Sequence, residues 1–377
     1  MTTFAKDKQL NPAAYNQLES LIGQESAERL CAYWNGEPLD RPVLRIFVKD
    51  STHRSTPWPH PGMSKRECEF HVPWHAHWAA AQVGRHRHLA ESVPSVGLAF
   101  ADNVGLLPLL AGGDYAYEAN KGHAWVCPWL DVLNNSLPEF NEAHPVVRML
   151  MDALAAACDA TGDQAAVQPF VLGMDAMTTL SLFLGAEDLC MVCLEKPPEL
   201  TAWIEAFDTL FIRLHRHMTD YLAGRGHHVQ TSWQHVAAPG TFESLQCDFA
   251  AMVSPEMFES FAMPSLRRLS EYLDYSLYHL DGTGQTRFLQ NMTRLPQLDG
   301  IQWNPEPGHT IPGWIDTYKW IKDQGWRLHF NHWDLKHVDN AVAVVKAIGP
   351  DNLSMALSPF ENVQEAEAAI CAIEQAC

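Results

Sequence analysis

Short runs of β-branched and aromatic residues alternate with segments of helical periodicity along most of this chain, and eight such alternations leave few folds open. The runs fall at residues 43–48, 95–101, 166–172, 228–233, 276–280, 300–303, 327–330 and 353–357. Apolar residues recur at helical intervals between most of them, as at 202–223, 255–274, 314–324 and 338–348. Strand and helix in regular succession predict a parallel α/β sheet, and eight repeats predict a (β/α)8 TIM barrel. A doubly wound open sheet is the competitor, but no GxGxxG or GxxxxGK phosphate loop follows any of the runs.

Residues 12–35 also carry a helical apolar period and stop at the breaker-rich stretch from Gly36 to Pro42. The expected organisation is therefore an N-terminal helical segment, 1–41, and a barrel, 42–377. The distance between the first two runs exceeds what one unit needs, so residues 49–93 are expected to form a long excursion over the barrel mouth.

A formal charge of −19 repels nucleic-acid phosphates and anionic membrane surfaces, and no basic patch with interleaved aromatics offsets it. Neither nucleic acid nor membrane is expected as a partner. No basic N-terminal segment leads into an apolar run with a cleavage site, and no apolar stretch reaches bilayer length, so the expected location is cytoplasmic. Nine cysteines without a framework spacing predict reduced thiols. The single CxxC, Cys190 and Cys193, lies in an apolar run and has no second pair to complete a zinc site, so it reads as core. His75 and His77 stand two apart in a histidine- and tryptophan-rich stretch that is expected to be a solvated loop.

In a barrel the chemistry comes from the C-terminal ends of strands and the loops after them. Ser232, His235, His279, Asp281, Gln302, His329, His332 and Asp334 all fall at such ends. His279 and Asp281, two apart on one strand, share a face. Either they hold a divalent metal, with His329, His332 or Cys247 completing the shell, or they work without metal as an acid–base pair in which Asp281 sets the imidazole tautomer, or they merely satisfy one another. Cys247 reads more as a buried small hydrophobe than as a nucleophile or ligand, and Asp334 equally as a helix N-cap. Trp233, Trp303 and Trp333 are candidates to line an apolar substrate pocket.

Four stretches, Leu245-Gln-Cys-Asp-Phe249, Met252-Val-Ser-Pro-Glu-Met-Phe258, Tyr278-His-Leu-Asp-Gly282 and Leu298-Asp-Gly-Ile-Gln-Trp303, resemble the uroporphyrinogen decarboxylase superfamily. The resemblance runs from about Arg41 to the C-terminus and is most specific between Ser232 and Trp303. It implies a (β/α)8 barrel with a cleft at the C-terminal face, a homodimer, and one of two chemistries: decarboxylation, or zinc-dependent methyl transfer linked to a corrinoid or thiol.

For decarboxylation, Phe100-Ala-Asp102 is similar to the family's catalytic aspartate motif, and Ser232 matches a serine that contacts substrate. The paired arginines after the first strand are replaced by Arg45-Ile-Phe-Val-Lys-Asp50, the family tyrosine falls on Ser181, and the C-terminal histidine falls near Leu357 or Ser358. For methyl transfer, His279 matches the histidine of a His-x-Cys zinc motif and Asp281 replaces its cysteine. Ser358 stands near the later cysteine, and Gln302 stands where relatives place a glutamate ligand.

The leading expectation is one-carbon transfer, most plausibly of methyl, from a small substrate, assisted by zinc or another divalent metal or by the His279–Asp281 pair, with a corrinoid protein as the partner. The runner-up is a decarboxylase of a tetrapyrrole or smaller acid using Asp102 and Ser232. A barrel that only binds a ligand is the third. The expected site is His279, Asp281, Asp102 and Ser232 for catalysis, Trp233, His235, Gln302, Trp303, His332 and Asp334 around substrate, and His279, Asp281, His329 and Cys247 for metal.

Overall fold

The structure, a computed structural model, describes residues 10–49, 62–117, 123–172, 175–304, 311–331, 338–357 and 359–377. The Asn11 side chain accepts the amide of Ala13, and Pro12 brings the φ of a first helical turn, which starts α1 (Pro12–Ile22). Gly23, at φ 81°, breaks the single helix expected over 12–35, and α2 (Gln24–Asn35) follows. Gly36 ends α2 in the left-handed region, where Arg327 donates Nε to the carbonyl of Tyr33 at 3.1 Å and Nη2 to that of Trp34 at 2.6 Å. A cation on free C-terminal carbonyls also complements the helix dipole.

Next come β1 (Val43–Lys49), α3 (Lys65–Glu69), α4 (Val72–Gln82), β2 (His86–Ala90), β3 (Ser95–Val96), α5 (Leu106–Leu110), the hairpin strands β4 (Tyr115–Tyr117) and β5 (Ala124–Val126), α6 (Pro145–Thr161) and β6 (Ala166–Val167). Helices α7 (Ala176–Leu184), α8 (Ala186–Glu195) and α9 (Pro197–Gly224) lead to a short hairpin, β7 (Gln230–Thr231) and β8 (Ala237–Ala238). The last third holds β9 (Phe242–Leu245), α10 (Pro255–Met257), α11 (Met263–Tyr272), β10 (Tyr275–Asp281), α12 (Leu289–Met292), β11 (Gly300–Asn304), α13 (Ile315–Asp323), β12 (Arg327–Phe330), α14 (Val338–Ile348), β13 (Leu353–Ala356) and α15 (Val363–Glu374).

The central sheet runs β2-β1-β13-β12-β11-β10-β9 and is parallel throughout except for β2, which is antiparallel on β1. β3 and β6 form a separate parallel pair. Among the described residues no ladder joins that pair to either edge of the larger sheet. The architecture is thus α/β around a mostly parallel sheet that hydrogen bonds do not close.

Alternation along the strands divides the two faces. Leu44, Ile46, Leu280, Ile301, Trp303, Leu328 and Phe330 join the helices in the main apolar core. His279, Gln302, His329 and Ser354 are buried on the other face. A second apolar cluster, with Tyr33 and Trp34 from α2 against Phe242, Tyr275 and Leu277, lies at the N-terminal ends of β9 and β10. Trp34 donates its indole N–H to the carbonyl of Ala237 at 2.7 Å. The inner face is thus apolar below and polar above.

Several expectations need correction. Residues 228–233 are not a parallel strand: only Gln230–Thr231 is extended, paired antiparallel with β8, and the parallel strand at this place is β9, whose polar Glu243 and Ser244 hid it. The described part of 49–93 is not a loop but α3, α4 and an edge strand. The strands expected at 95–101 and 166–172 shrink to two residues each. His75 is buried on α4, with Nε2 2.8 Å from the Glu69 carbonyl, so it is not on a solvated loop. Cys193 packs into the core of α8, as its apolar neighbours predict. Among the described residues no single helix is long and apolar enough to cross a membrane.

Candidate functional site

A cavity of about 480 Å³ opens between the β1–β2 edge and the β3–β6 pair, and Ser232, Trp233 and His235 of the β7–β8 turn line it. The turn is tightly built. His235 donates its amide to the Ser232 carbonyl at 3.0 Å, and the Ser232 hydroxyl accepts the Gln234 amide at 3.2 Å and bonds the Ser244 hydroxyl at 2.8 Å. His235 takes φ 66°, a left-handed conformation that costs a non-glycine residue about 1–2 kcal/mol. The cost places a histidine on the cavity wall.

From β1, Arg45 enters the same cavity. No hydrogen bond or ion pair engages its guanidinium among the described residues; it lies 4.5 Å from the Phe47 ring centroid, and His88 and His329 both feel its charge. Burial alone pulls its pKa down to about 10. An unpaired, partly buried cation is costly unless something completes it. The other titratable groups of the lining are Arg85, His86, His88 and His235, and no carboxylate appears among its described residues. His88 is pushed down to about 4 by burial, then by Arg45 and His86, so it is neutral at pH 7, with Nδ1 held 2.9 Å from Ser92 Oγ.

Behind Trp233 lies a polar layer, and the Trp233 ring meets that of His279 edge-on, centroids 4.7 Å apart. His279 Nδ1 bonds Gln302 Oε1, which also accepts Gln234 Nε2 at 3.0 Å, while Gln302 Nε2 donates to the Trp303 carbonyl at 2.7 Å. That orientation makes Gln302 Oε1 an acceptor, so Nδ1 of His279 carries the proton. Nε2 faces Asp281 Oδ1 at 3.8 Å. Gln302, not Asp281, therefore sets the tautomer. Burial lowers the His279 pKa, against the opposing pull of Gln302 and Asp281. Asp281 itself accepts from Asn304 Nδ2 at 2.7 Å.

His329 has both nitrogens in use, Nε2 at 2.8 Å from the Gln234 carbonyl and Nδ1 at 2.8 Å from Ser354 Oγ, which continues to the Tyr33 hydroxyl. The carbonyl can only accept, so Nε2 holds the proton and Nδ1 accepts from Ser354. Burial pushes this histidine down to about 4. Its place is structural.

The other expected residues scatter. Asp102 sits at φ 49° in a helical turn away from the cavity lining, paired to Lys65 Nζ and accepting the Ala124 amide at 2.7 Å. Trp303 is fully buried on the outer face against Trp314 and Tyr318, so it is core, not substrate lining. His332, Trp333, Asp334 and Ser358 lie outside the described residues.

Cys247 is buried beside Asp175, to whose carboxylate its thiol donates. Burial and then the Asp175 and Asp248 charges raise its pKa well above the ordinary thiol value. Asp175 caps α7 through Thr178, and burial raises its pKa to about 6. Burial, then the Asp175 and Asp281 charges, raise Asp248 to about 7.

The metal set of His279, Asp281, His329 and Cys247 does not fit a metal. Ligand thiols must lose their proton and ligand histidines need a free lone pair. Cys247 turns its thiol proton onto Asp175 and His329 has spent its lone pair on Ser354. Among the described residues no group of three or more His, Cys, Asp or Glu side chains is placed to hold an ion.

Sequence reasoning missed Arg45 as a site residue, and Gln234 and Asn331. Asn331 follows His329 by two and shares its face; it is fully buried, with both side-chain polar atoms unpaired. The period of two that picked out His279 and Asp281 also marks His329 and Asn331.

Compared with known proteins, the chain matches no family model and no curated protein. Among solved structures, a mandelate racemase/muconate lactonizing enzyme from Sulfitobacter sp is similar at 12% identity, over 94% of this chain and 68% of that one, with a TM-score of 0.37. A likeness at that level carries no inference about activity.

Proposed function

We propose that the chain is an enzyme with a frame of the uroporphyrinogen decarboxylase kind, acting as a carboxy-lyase on a small carboxylic acid bound in the Arg45 cavity. Supporting the frame, six parallel strands, β1, β9, β10, β11, β12 and β13, share one sheet, and a separate parallel pair, β3 and β6, falls between β1 and β9 in chain order, although no ladder among the described residues joins the pair to the sheet. The observation that carries the chemistry is Arg45, an unpaired guanidinium opening on a cavity without carboxylates among its described lining. A substrate carboxylate is the partner that geometry lacks, and a bidentate pair with arginine is the strongest simple way to hold one.

Arg45 orients the substrate by one anion. Loss of CO2 from another carboxylate breaks its bond to the adjacent carbon and leaves the electron pair there, so the substrate needs its own sink, such as a carbonyl β to that carboxylate. A proton then forms the new C–H bond. His235 and His88 are the cavity imidazoles placed to move it, and Ser232 can hydrogen-bond the substrate. Trp233 screens the centre from the His279 layer.

The methyl-transfer reading depends on a metal or on His279 acting directly; the metal set does not fit, and His279 lies behind Trp233. Release of CO2 from a panel of 3-oxo acids that carry a second carboxylate, without any methyl acceptor, tests the proposal. Turnover that drops at least tenfold in Arg45→Met supports it. Turnover indifferent to Arg45, or none across the panel, overturns it.

A further inference from the structure

Two arginines line the cavity, and they stand at opposite ends of one ladder. Arg45 on β1 pairs with Ala90 on the antiparallel β2, and Arg85 directly precedes β2, whose His86 pairs with Lys49. Five residue steps therefore separate the two positions, roughly 16 Å of strand at about 3.3 Å per step. No hydrogen bond or ion pair engages the guanidinium of Arg85, as of Arg45, among the described residues. In a chain of net charge −19, two unpaired guanidiniums facing one cavity without a carboxylate in its described lining run against the overall balance.

From this we infer that the cavity takes an elongated dicarboxylate, with one carboxylate on Arg45 in the depth and the second on Arg85 at the rim. The inference rests on the proposed small-acid site and narrows its substrate class. Strand geometry sets a ruler: a diacid too short reaches only one arginine, and one too long must fold within the cavity of about 480 Å³. The second charge-assisted pair adds affinity only when both ends engage together, so the dependence on chain length is expected to be peaked. His88, with Nδ1 on Ser92 Oγ, and His235 line the same cavity as the two arginines.

Calorimetric titration of the full chain with unbranched α,ω-dicarboxylates of four to eight carbons, and with monocarboxylates of equal length, tests this at low salt in a carboxylate-free buffer. One diacid length should bind at least tenfold tighter than its monoacid. Arg85→Met should bring that diacid down to the monoacid level and leave the monoacid unchanged, while Arg45→Met should weaken both, with thermal melts showing that each variant is folded.

Equal affinity for diacids and monoacids, or a diacid preference that survives Arg85→Met, overturns the inference. The titration needs no turnover. Diacid binding without CO2 release would therefore overturn the lyase reading alone, and CO2 release without diacid preference would overturn this inference alone.

Discussion

His279 donates from Nδ1 to the same Gln302 oxygen that accepts the Gln234 amide at 3.0 Å, so one buried carbonyl fixes both an imidazole tautomer and a glutamine. Gln302→Leu leaves two buried donors without an acceptor. The expected cost is about 1–3 kcal/mol in denaturant unfolding. Nitrogen NMR of His279 should pass from the Nδ1–H tautomer to a mixture, and an unchanged tautomer would show that something else sets it.

Stability should fall as the solution is acidified through the histidine range. His329 and His215, both buried, are held down to about 4, below the ordinary value of 6.5. The folded pKa is the lower one, so the unfolded chain binds more protons between pH 6.5 and 4. Stability from these groups is complete above 6.5 and lost toward 4. His329→Gln should therefore show a shallower acid slope than the wild type, by an amount on the order of 2–3 kcal/mol between pH 7 and 4. Equal slopes would mean that His329 is not buried neutral.

Asp248 acts in the opposite sense. Its folded pKa, about 7, lies above the ordinary carboxylate value, so its ionisation opposes folding as the pH rises from 4 through 7. Its Oδ1 is buried and unpaired. Asp248→Asn should exceed the wild type in thermal stability at pH 8 and converge with it near pH 4. A variant that is less stable at pH 8 would contradict the reading.

Gly36 should not tolerate a side chain. A Cβ there would stand 2.9 Å from Arg327 Nη2, at a φ of 73°. Gly36→Ala is expected to cost about 1–2 kcal/mol from the backbone alone, measured by denaturant unfolding. Displacing Arg327 from the α2 carbonyls would add to it.

Periodicity made much of the frame legible: residues 43–48, 276–280, 300–303, 327–330 and 353–357 all lie in or against strands of the parallel sheet. It failed at β9, where Glu243 and Ser244 are buried polar residues in a strand that reads as non-apolar, and at residues 228–233, where extended character came from a two-residue hairpin. Of the residues picked for the site, Ser232, Trp233 and His235 line the cavity, although from the β7–β8 turn and not from the end of a parallel strand. Position at strand ends misjudged Trp303, because a one-residue change of parity along β11 decides between core and interior. Arg45, noted only where the family's paired arginines are replaced, was not marked as a site residue because nothing in a sequence shows that an arginine lacks a partner. That is a property of the assembled cavity.

The account centres on where an acid binds, and a crystal structure of the protein soaked with glutarate, the five-carbon dicarboxylate, tests that most directly. One carboxylate is predicted within hydrogen-bond distance of the Arg45 guanidinium, beside Ser232 and His235. Glutarate seated at His279 and Asp281 instead, with the Arg45 cavity empty, would contradict the account.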